Sequence, residues 1–127
     1  MQHPVPAAPW KLQYADGSAN VYRWSQDEDG ASVRFEYDPV TPETSSTGAY
    51  SGGPPREEKL SATDPRLAEL WTKVRALQAS IAHHSPSRNK GTGAFAMVTA
   101  KGEESFIYEM GEELSSLKPL LDRFGAK

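Results

Sequence analysis

The sequence predicts an α+β fold, with an antiparallel sheet of about five strands packed by one long amphipathic helix and a short C-terminal helix. Three segments before residue 38 alternate apolar and polar side chains with a period of two. A stretch with helical periodicity follows, and two more alternating segments lie beyond it. Runs of strands that do not alternate one-for-one with helices are typical of α+β architecture.

The first three strands are predicted over residues 10–15, 19–25 and 31–37, as an antiparallel meander with one buried face. Short turns containing Asp-Gly pairs join them, and such pairs mark tight connections between strands. Pro39 ends the third strand, because a proline cannot donate a hydrogen bond to the strand ladder.

Residues 39–62 show no clear period and are predicted to form a long loop. Structureless loops longer than about 12–15 residues are uncommon inside compact domains, and most are functional or disordered. Glycines flank Tyr50 at the centre of the stretch. We expect Tyr50 to pack on the domain or to form a short strand pairing, and we take Tyr50, Ser51 and Arg56 as candidate binding residues.

The long helix is predicted over residues 65–83. Asp64 is a suitable N-cap and Pro65 a suitable first helical residue, while Pro86 disfavours helix just before it. We expect Trp71 to meet Trp24 or Phe35 across the sheet. The stripe facing the core follows the i, i+3, i+4, i+7 rule and contains Leu67, Leu70, Trp71, Val74, Leu77, Gln78 and Ile81.

A β-hairpin is predicted over residues 94–100 and 104–110, with a turn at 101–103. Leucines at helical spacing then suit a short C-terminal helix. That helix should begin near Ser115 or Ser116, because Pro119 is tolerated only in a first turn. Gly125 suits its end.

The chain is predicted to form one domain over residues 10–127, preceded by an extended, proline-rich tail at 1–9. Its 127 residues are a typical length for one domain. Both flanks of the 39–62 loop belong to the same predicted core, so the loop is an excursion within a domain rather than a linker between two.

Composition excludes several classes of function. The net charge is −3, with no basic stripe for nucleic acid, and no apolar run of about 18 residues could span a bilayer. Cysteine is absent, which rules out disulfides and thiolate metal sites. It also fits a reducing cytoplasm, although a mature periplasmic or secreted form stays open. We predict no cofactor.

One turn approaches a calcium-binding pattern. Asp27, Asp29, Gly30 and Glu36 match positions of an EF-hand loop. Ser25 is a poor first ligand, however, and the predicted flanks are strands rather than helices. We interpret the segment as a β-turn with surface acids and predict no metal site.

The loop at residues 85–93 is the second candidate site. Its sequence SPSRNKGTG carries Arg88, Lys90 and several backbone N–H groups that could cradle an anion. His83 and His84 lie just before it. Adjacent helical histidines point about 100° apart and are poorly placed to chelate one metal, since the useful spacing is i, i+4.

These observations favour a non-enzymatic binding or protein-interaction module that uses the 39–62 loop. No nucleophile–base set stands out, so the sequence favours binding over catalysis without settling the question. The alternative is a small enzyme, or an anion- or nucleotide-binding domain, with a site near the 85–93 loop. Self-association through a sheet edge is a third hypothesis.

Overall fold

The computed structural model describes residues 5–28, 30, 32–41, 52–88 and 91–125. Its main feature is one antiparallel sheet with strand order β4-β3-β2-β1-β5-β6. The strands are β1 Trp10–Ala15, β2 Val21–Gln26, β3 Ser32–Asp38, β4 Arg56–Ser61, β5 Gly93–Thr99 and β6 Gly102–Tyr108. The helices are α1 Pro65–Ala79, a 3₁₀ turn at Ile81–His83, α2 Glu112–Ser115 and α3 Lys118–Leu121.

The α+β prediction is confirmed, but the sheet has six strands rather than about five. The additional strand, β4, lies inside the 39–62 stretch that the sequence predicts as loop. It pairs with β3 so that Leu60 stands opposite Val33 and Arg56 opposite Tyr37. Its sequence REEKLS contains one fully buried side chain, Leu60, which is why the alternation is hard to see.

The core lies on one face of the sheet. The buried side chains of all six strands point to this face, where α1 adds Leu67, Leu70, Trp71, Val74 and Leu77. The opposite face carries mostly polar or small side chains, such as Lys11, Arg34 and Ala96. Apolar burial on one side therefore holds the sheet and helices together.

Helix α1 begins as predicted, since the Asp64 side chain accepts from the backbone N–H of Arg66 and Pro65 is at the first turn. It ends at Ala79 rather than near residue 83. Ile81, expected in the buried stripe, is therefore 74% exposed. A reversal of the chain toward β6 begins at Ser80, so the helical register is lost before Ile81.

The expected partner of Trp71 was also wrong. Trp71 meets Trp10 edge-on, with ring centroids 5.2 Å apart. Trp24 and Phe35 instead contact Phe124, at 5.4 and 5.3 Å. The C-terminal segment thus covers the part of the sheet that the sequence pattern assigned to α1.

The C-terminal segment forms two short helical turns, α2 and α3, instead of one helix. Pro119 lies in the first turn of α3, as its chemistry requires. Gly125 has a φ of 68°, and its N–H donates to Glu58 Oε1 at 2.8 Å. That left-handed conformation favours glycine and turns the chain back onto β4.

The β5–β6 hairpin is tighter than predicted. Thr99 pairs with Gly102, so the loop consists of Ala100 and Lys101. Gly102 has a φ of 116°, which a side chain would disfavour. Strand β6 ends at Tyr108 rather than at the predicted residue 110, and Met110 beyond it is 70% exposed.

Candidate functional site

Those predicted binding residues that the structure describes lie at one end of the sheet, but not at one point. At this end β1, β3 and β6 finish while β2, β4 and β5 begin. Arg56 opens β4 at one edge, whereas His84 bridges Tyr108 of β6 at the other. Five strand spacings of about 4.8 Å separate these edges by roughly 24 Å. Arg56 and His84 therefore belong to different sites.

Residues 83–85, which include both histidines, form a short segment that pairs with the end of β6; we call it the strap. The N–H of Glu109 donates to the carbonyl of His83 at 2.9 Å, and that of Ser85 to Ile107 at 2.7 Å. The His84 ring stacks on Phe106 with centroids 4.8 Å apart, and its Nε2 lies 3.0 Å from the carbonyl of Leu77. These contacts give His84 a structural role.

His83 forms a different hydrogen bond. Its Nδ1 lies 2.6 Å from Glu109 Oε1, and this hydrogen bond raises the pKa of His83. The two neighbouring histidines thus have different hydrogen-bond partners, although each ring centroid lies 6.0 Å from that of Tyr108. Among the described residues, no group of three or more His, Cys, Asp or Glu side chains is placed to hold a metal ion.

Arg88 ties the 85–93 loop to the β1–β2 turn. Its guanidinium donates to the carbonyl and the Oγ1 of Thr92 and, at 2.9 Å, to the carbonyl of Asp16. These bonds occupy both terminal nitrogens with protein acceptors. Lys90, the other predicted cation of this loop, lies outside the described residues.

The 39–62 stretch is closed at its base. The N–H of Gly52 donates to the carbonyl of Val40 at 2.8 Å, and the N–H of Val40 donates to Asn20 Oδ1 at 2.8 Å. The Tyr37 hydroxyl donates to the Gly52 carbonyl at 2.7 Å. The expectations for Tyr50 and Ser51 concern positions outside the described residues.

Arg56 lies next to this base. Its guanidinium carbon is 4.7 Å from the centroid of the Tyr37 ring, which is the geometry of a cation–π contact. Its Nε is buried and has no hydrogen-bond partner within the part of the chain that the structure describes. Arg56 is therefore only partly exposed and packs against Tyr37 of β3.

The described part of the calcium-like pattern is spread over strand β3 and the residues before it. Glu36 lies on the open face of β3, where Arg34 Nε contacts its carboxylate at 3.2 Å. Gln26, immediately before Asp27, donates through Nε2 to the carbonyl of Gly30 at 3.0 Å. Asp29 lies outside the described residues.

A hollow that sequence reasoning missed lies on the core side of this end, under the C-terminal turns. We call it the tyrosine hollow. Its volume is about 290 Å³, and it is lined by Tyr14, Asp16, Gly17, Tyr22, Gly91, Met110, Leu114, Ser115, Leu117, Lys118 and Leu121. Small-molecule sites combine a mostly apolar lining with a few polar groups, and this lining has that composition.

Two tyrosines, Tyr14 and Tyr22, contribute hydroxyl groups to the residues that line the hollow. Tyr14 stacks on Phe95 at 4.7 Å and on Tyr22 at 5.8 Å between centroids. Burial raises the pKa of both hydroxyls above the usual tyrosine range. Neither hydroxyl forms a hydrogen bond with any described residue. Both therefore stay protonated and are free to donate and accept.

Asp16 is the acid at the rim. Its Oδ1 accepts from the N–H groups of Ser18 and Asn20, at 2.9 and 3.0 Å, and its Oδ2 accepts from Asn20 Nδ2 at 3.1 Å. Lys118, the other charged lining residue, binds Asp122 Oδ1 at 2.7 Å. The lysine charge is thus offset by a carboxylate, whereas these donors to Asp16 are uncharged amides.

Two glycines allow the hollow to form. A Cβ on Gly17 would lie 2.8 Å from Gly91 Cα, and a Cβ on Gly91 would lie 2.5 Å from Met110 Sδ. Gly91 also has a φ of 83°, in the left-handed region that glycine favours. The β1–β2 turn can approach Gly91 this closely because Gly17 has no side chain, and Gly91 suits its own position because of its positive φ.

A larger groove of about 780 Å³ crosses the open face at the opposite end of the sheet. Its lining includes Lys11, Arg34, Glu36 and Glu103, and Arg34 also contacts Glu57 at 3.7 Å. We place the candidate site in the smaller hollow, because an apolar floor with unpartnered hydroxyls offers a ligand both burial and hydrogen bonds.

Sequence reasoning assigned Tyr14 to the alternating core pattern, and that pattern gave no sign that the end of the sheet is hollow. The signal that could have indicated it is the pairing of two tyrosines with glycines in both nearby loops.

No protein-family model, curated protein or solved structure matches this chain. Within its described part, no helix has the length and apolarity needed to cross a membrane.

Proposed function

We propose that this protein is a non-enzymatic binding module that holds one small, largely apolar molecule in the tyrosine hollow. The observation that carries the proposal is that Tyr14 and Tyr22 both line the hollow, while neither hydroxyl has a hydrogen-bond partner among the described residues. Polar groups at a largely buried position normally find a hydrogen-bond partner. A ligand would supply it.

Shape and lining support the same conclusion. The side chains of Leu114, Leu117 and Leu121 are at most 6% exposed and form an apolar wall. A volume of about 290 Å³ suits a molecule built on a single ring or a short branched chain. Burial of such a body contributes roughly 25 cal/mol per Å² of apolar surface.

Fewer structural observations support the other sequence-based hypotheses. A role for the 39–62 loop in contacting a protein stays a prediction, because Tyr50 and Ser51 are outside the described residues. The anion-binding alternative drew on Arg88, Lys90 and backbone N–H groups of the 85–93 loop. Arg88 already donates to Thr92 and Asp16, and Lys90 is also outside the described residues, so this alternative stays a prediction.

The test is a fragment screen followed by NMR on the full chain. Fragments that bind should shift the backbone amide signals of Gly17 and Gly91. A double variant, Tyr14→Phe with Tyr22→Phe, should fold normally, because the lost hydroxyls have no partner in the described structure, and should bind these fragments more weakly. No amide shift at either glycine with any fragment would refute the proposal.

Tyr108→Phe is the matched control. The Tyr108 hydroxyl donates to Glu113, and Tyr108 does not line the hollow. Removal of this hydroxyl should lower stability by about 1 kcal/mol while fragment affinity stays unchanged. Equal losses of affinity in the control and in the double variant would show that the hollow's hydroxyls do not contact the ligand.

A further inference from the structure

We infer that the occupant of the tyrosine hollow is a small protonated amine with an apolar body; this rests on the proposed function and specifies its ligand class. Asp16 and Lys118 are the charged lining residues. Lys118 is bound to Asp122 at 2.7 Å, while the carboxylate of Asp16 accepts from uncharged amides.

The acceptors match the donors of an ammonium group. Asp16 Oδ2 accepts from Asn20 Nδ2 at 3.1 Å, and a carboxylate oxygen has room for a second donor. The hydroxyl oxygens of Tyr14 and Tyr22 each have lone pairs with no protein donor among the described residues. An ammonium carries three N–H donors and no acceptor, and these three oxygens belong to residues that line the hollow.

The electrostatic surroundings point the same way. Burial contributes most to the raised pKa of Tyr14. The negative charge of Asp16 is the next largest cause and exceeds the opposing effect of Arg88. The negative charge is therefore felt at the hydroxyl inside the hollow. A cation gains from this field, whereas a carboxylate ligand would be repelled by Asp16. The leucine wall would hold the apolar body in either case.

The experiment compares three probes that share one ring and differ in charge. Benzylamine, benzyl alcohol and benzoate are titrated into the full chain at pH 7, and the amide shifts of Gly17 and Gly91 are followed. We expect benzylamine to bind most tightly, benzyl alcohol more weakly and benzoate most weakly.

Asp16→Asn tests the residue responsible. The asparagine keeps an Oδ1 that can accept from Ser18 and Asn20, so the turn should survive. Affinity for benzylamine should fall about tenfold, because a charge-assisted hydrogen bond becomes a neutral one, while affinity for benzyl alcohol should not change. Asp27→Asn is the matched control: it removes the same charge in the turn at the opposite end of the sheet and should change neither affinity.

Failure of the amine inference can be distinguished from failure of the proposed binding function. If benzyl alcohol or benzoate shifts these amides at least as strongly as benzylamine, or if Asp16→Asn leaves benzylamine binding intact, the amine inference is overturned and the binding module stands. If none of the three probes shifts the amides of Gly17 and Gly91, this amine inference fails, and the fragment screen then decides the proposed function.

Discussion

Arg66 binds Glu58 through both carboxylate oxygens, at 3.2 and 2.7 Å, and so joins the start of α1 to strand β4. The same guanidinium reaches Asp64 at 2.9 Å and the carbonyl of Arg123 at 2.6 Å. Glu58 in turn accepts from the N–H of Gly125. One side chain thus fastens the helix, the sheet and the C-terminal segment together.

Arg66→Met should destabilise the fold by about 2 kcal/mol, because it leaves two partly buried carboxylates without their cation. The side chain of Arg66 is 19% exposed. The control is Arg34→Met on the open face, where the side chain is 63% exposed and a change within about 0.5 kcal/mol is expected. Urea unfolding of both variants measures the difference, and equal losses would contradict the assigned role.

Stability should fall with acid in a way that depends on Arg66. Hydrogen bonds from Arg66 lower the pKa of both Glu58 and Asp64. A carboxyl whose pKa is lower in the folded state contributes stability above its unfolded pKa, near 4, and loses it as the pH falls through the folded value. The free energy of unfolding should therefore drop more steeply below about pH 5 in the wild type than in Arg66→Met. Parallel pH profiles would count against the cluster.

Gly17→Ala should disturb the wall of the tyrosine hollow. The added Cβ would lie 2.8 Å from Gly91 Cα and 3.1 Å from its carbonyl carbon, and backbone atoms cannot rotate out of the way. Overpacking of this kind costs roughly 1–3 kcal/mol. Gly111→Ala is the control, since a methyl group there would have no atom of the described residues within 4 Å. Thermal unfolding that ranks the two variants equally would show that the two loops are not in contact.

Peroxide should oxidise Met110 long before Met97. Met110 is 70% exposed at the rim of the hollow, whereas Met97 is 1% exposed under α1. Thioether oxidation follows exposure when the side chains are otherwise alike. Peptide mass spectrometry over a time course of hydrogen peroxide treatment measures both rates. Comparable rates would mean that Met97 is more accessible than the packed core allows.

Much of the fold could be predicted because its signals are local. Alternation placed β1, β2 and β3 within about two residues of their observed bounds, and Asp64 with Pro65 fixed the start of α1. Capping and side-chain period depend on residues a few positions apart. The one missed strand, β4, lacked that signal, because Arg56 and Glu58 occupy core-side positions.

Those two positions show why β4 was missed. Arg56 is accommodated by the ring of Tyr37, and Glu58 by Arg66 and Gly125. Tyr37, Arg66 and Gly125 all lie outside β4, in other segments of the chain. A pattern that counts apolar residues within one segment cannot include them.

The sequence by itself determined the α+β class, most strand positions and the start of the long helix, since short-range periodicity and capping specify these features. The tertiary structure decided that Trp71 meets Trp10, that the histidines hold a strap on β6, and that Arg88 is used within the protein. It also decided that Tyr14 and Tyr22 open into a hollow under the C-terminal turns. The physical reason is that packing partners and cavities are set by contacts between segments far apart in the chain, which no local pattern records.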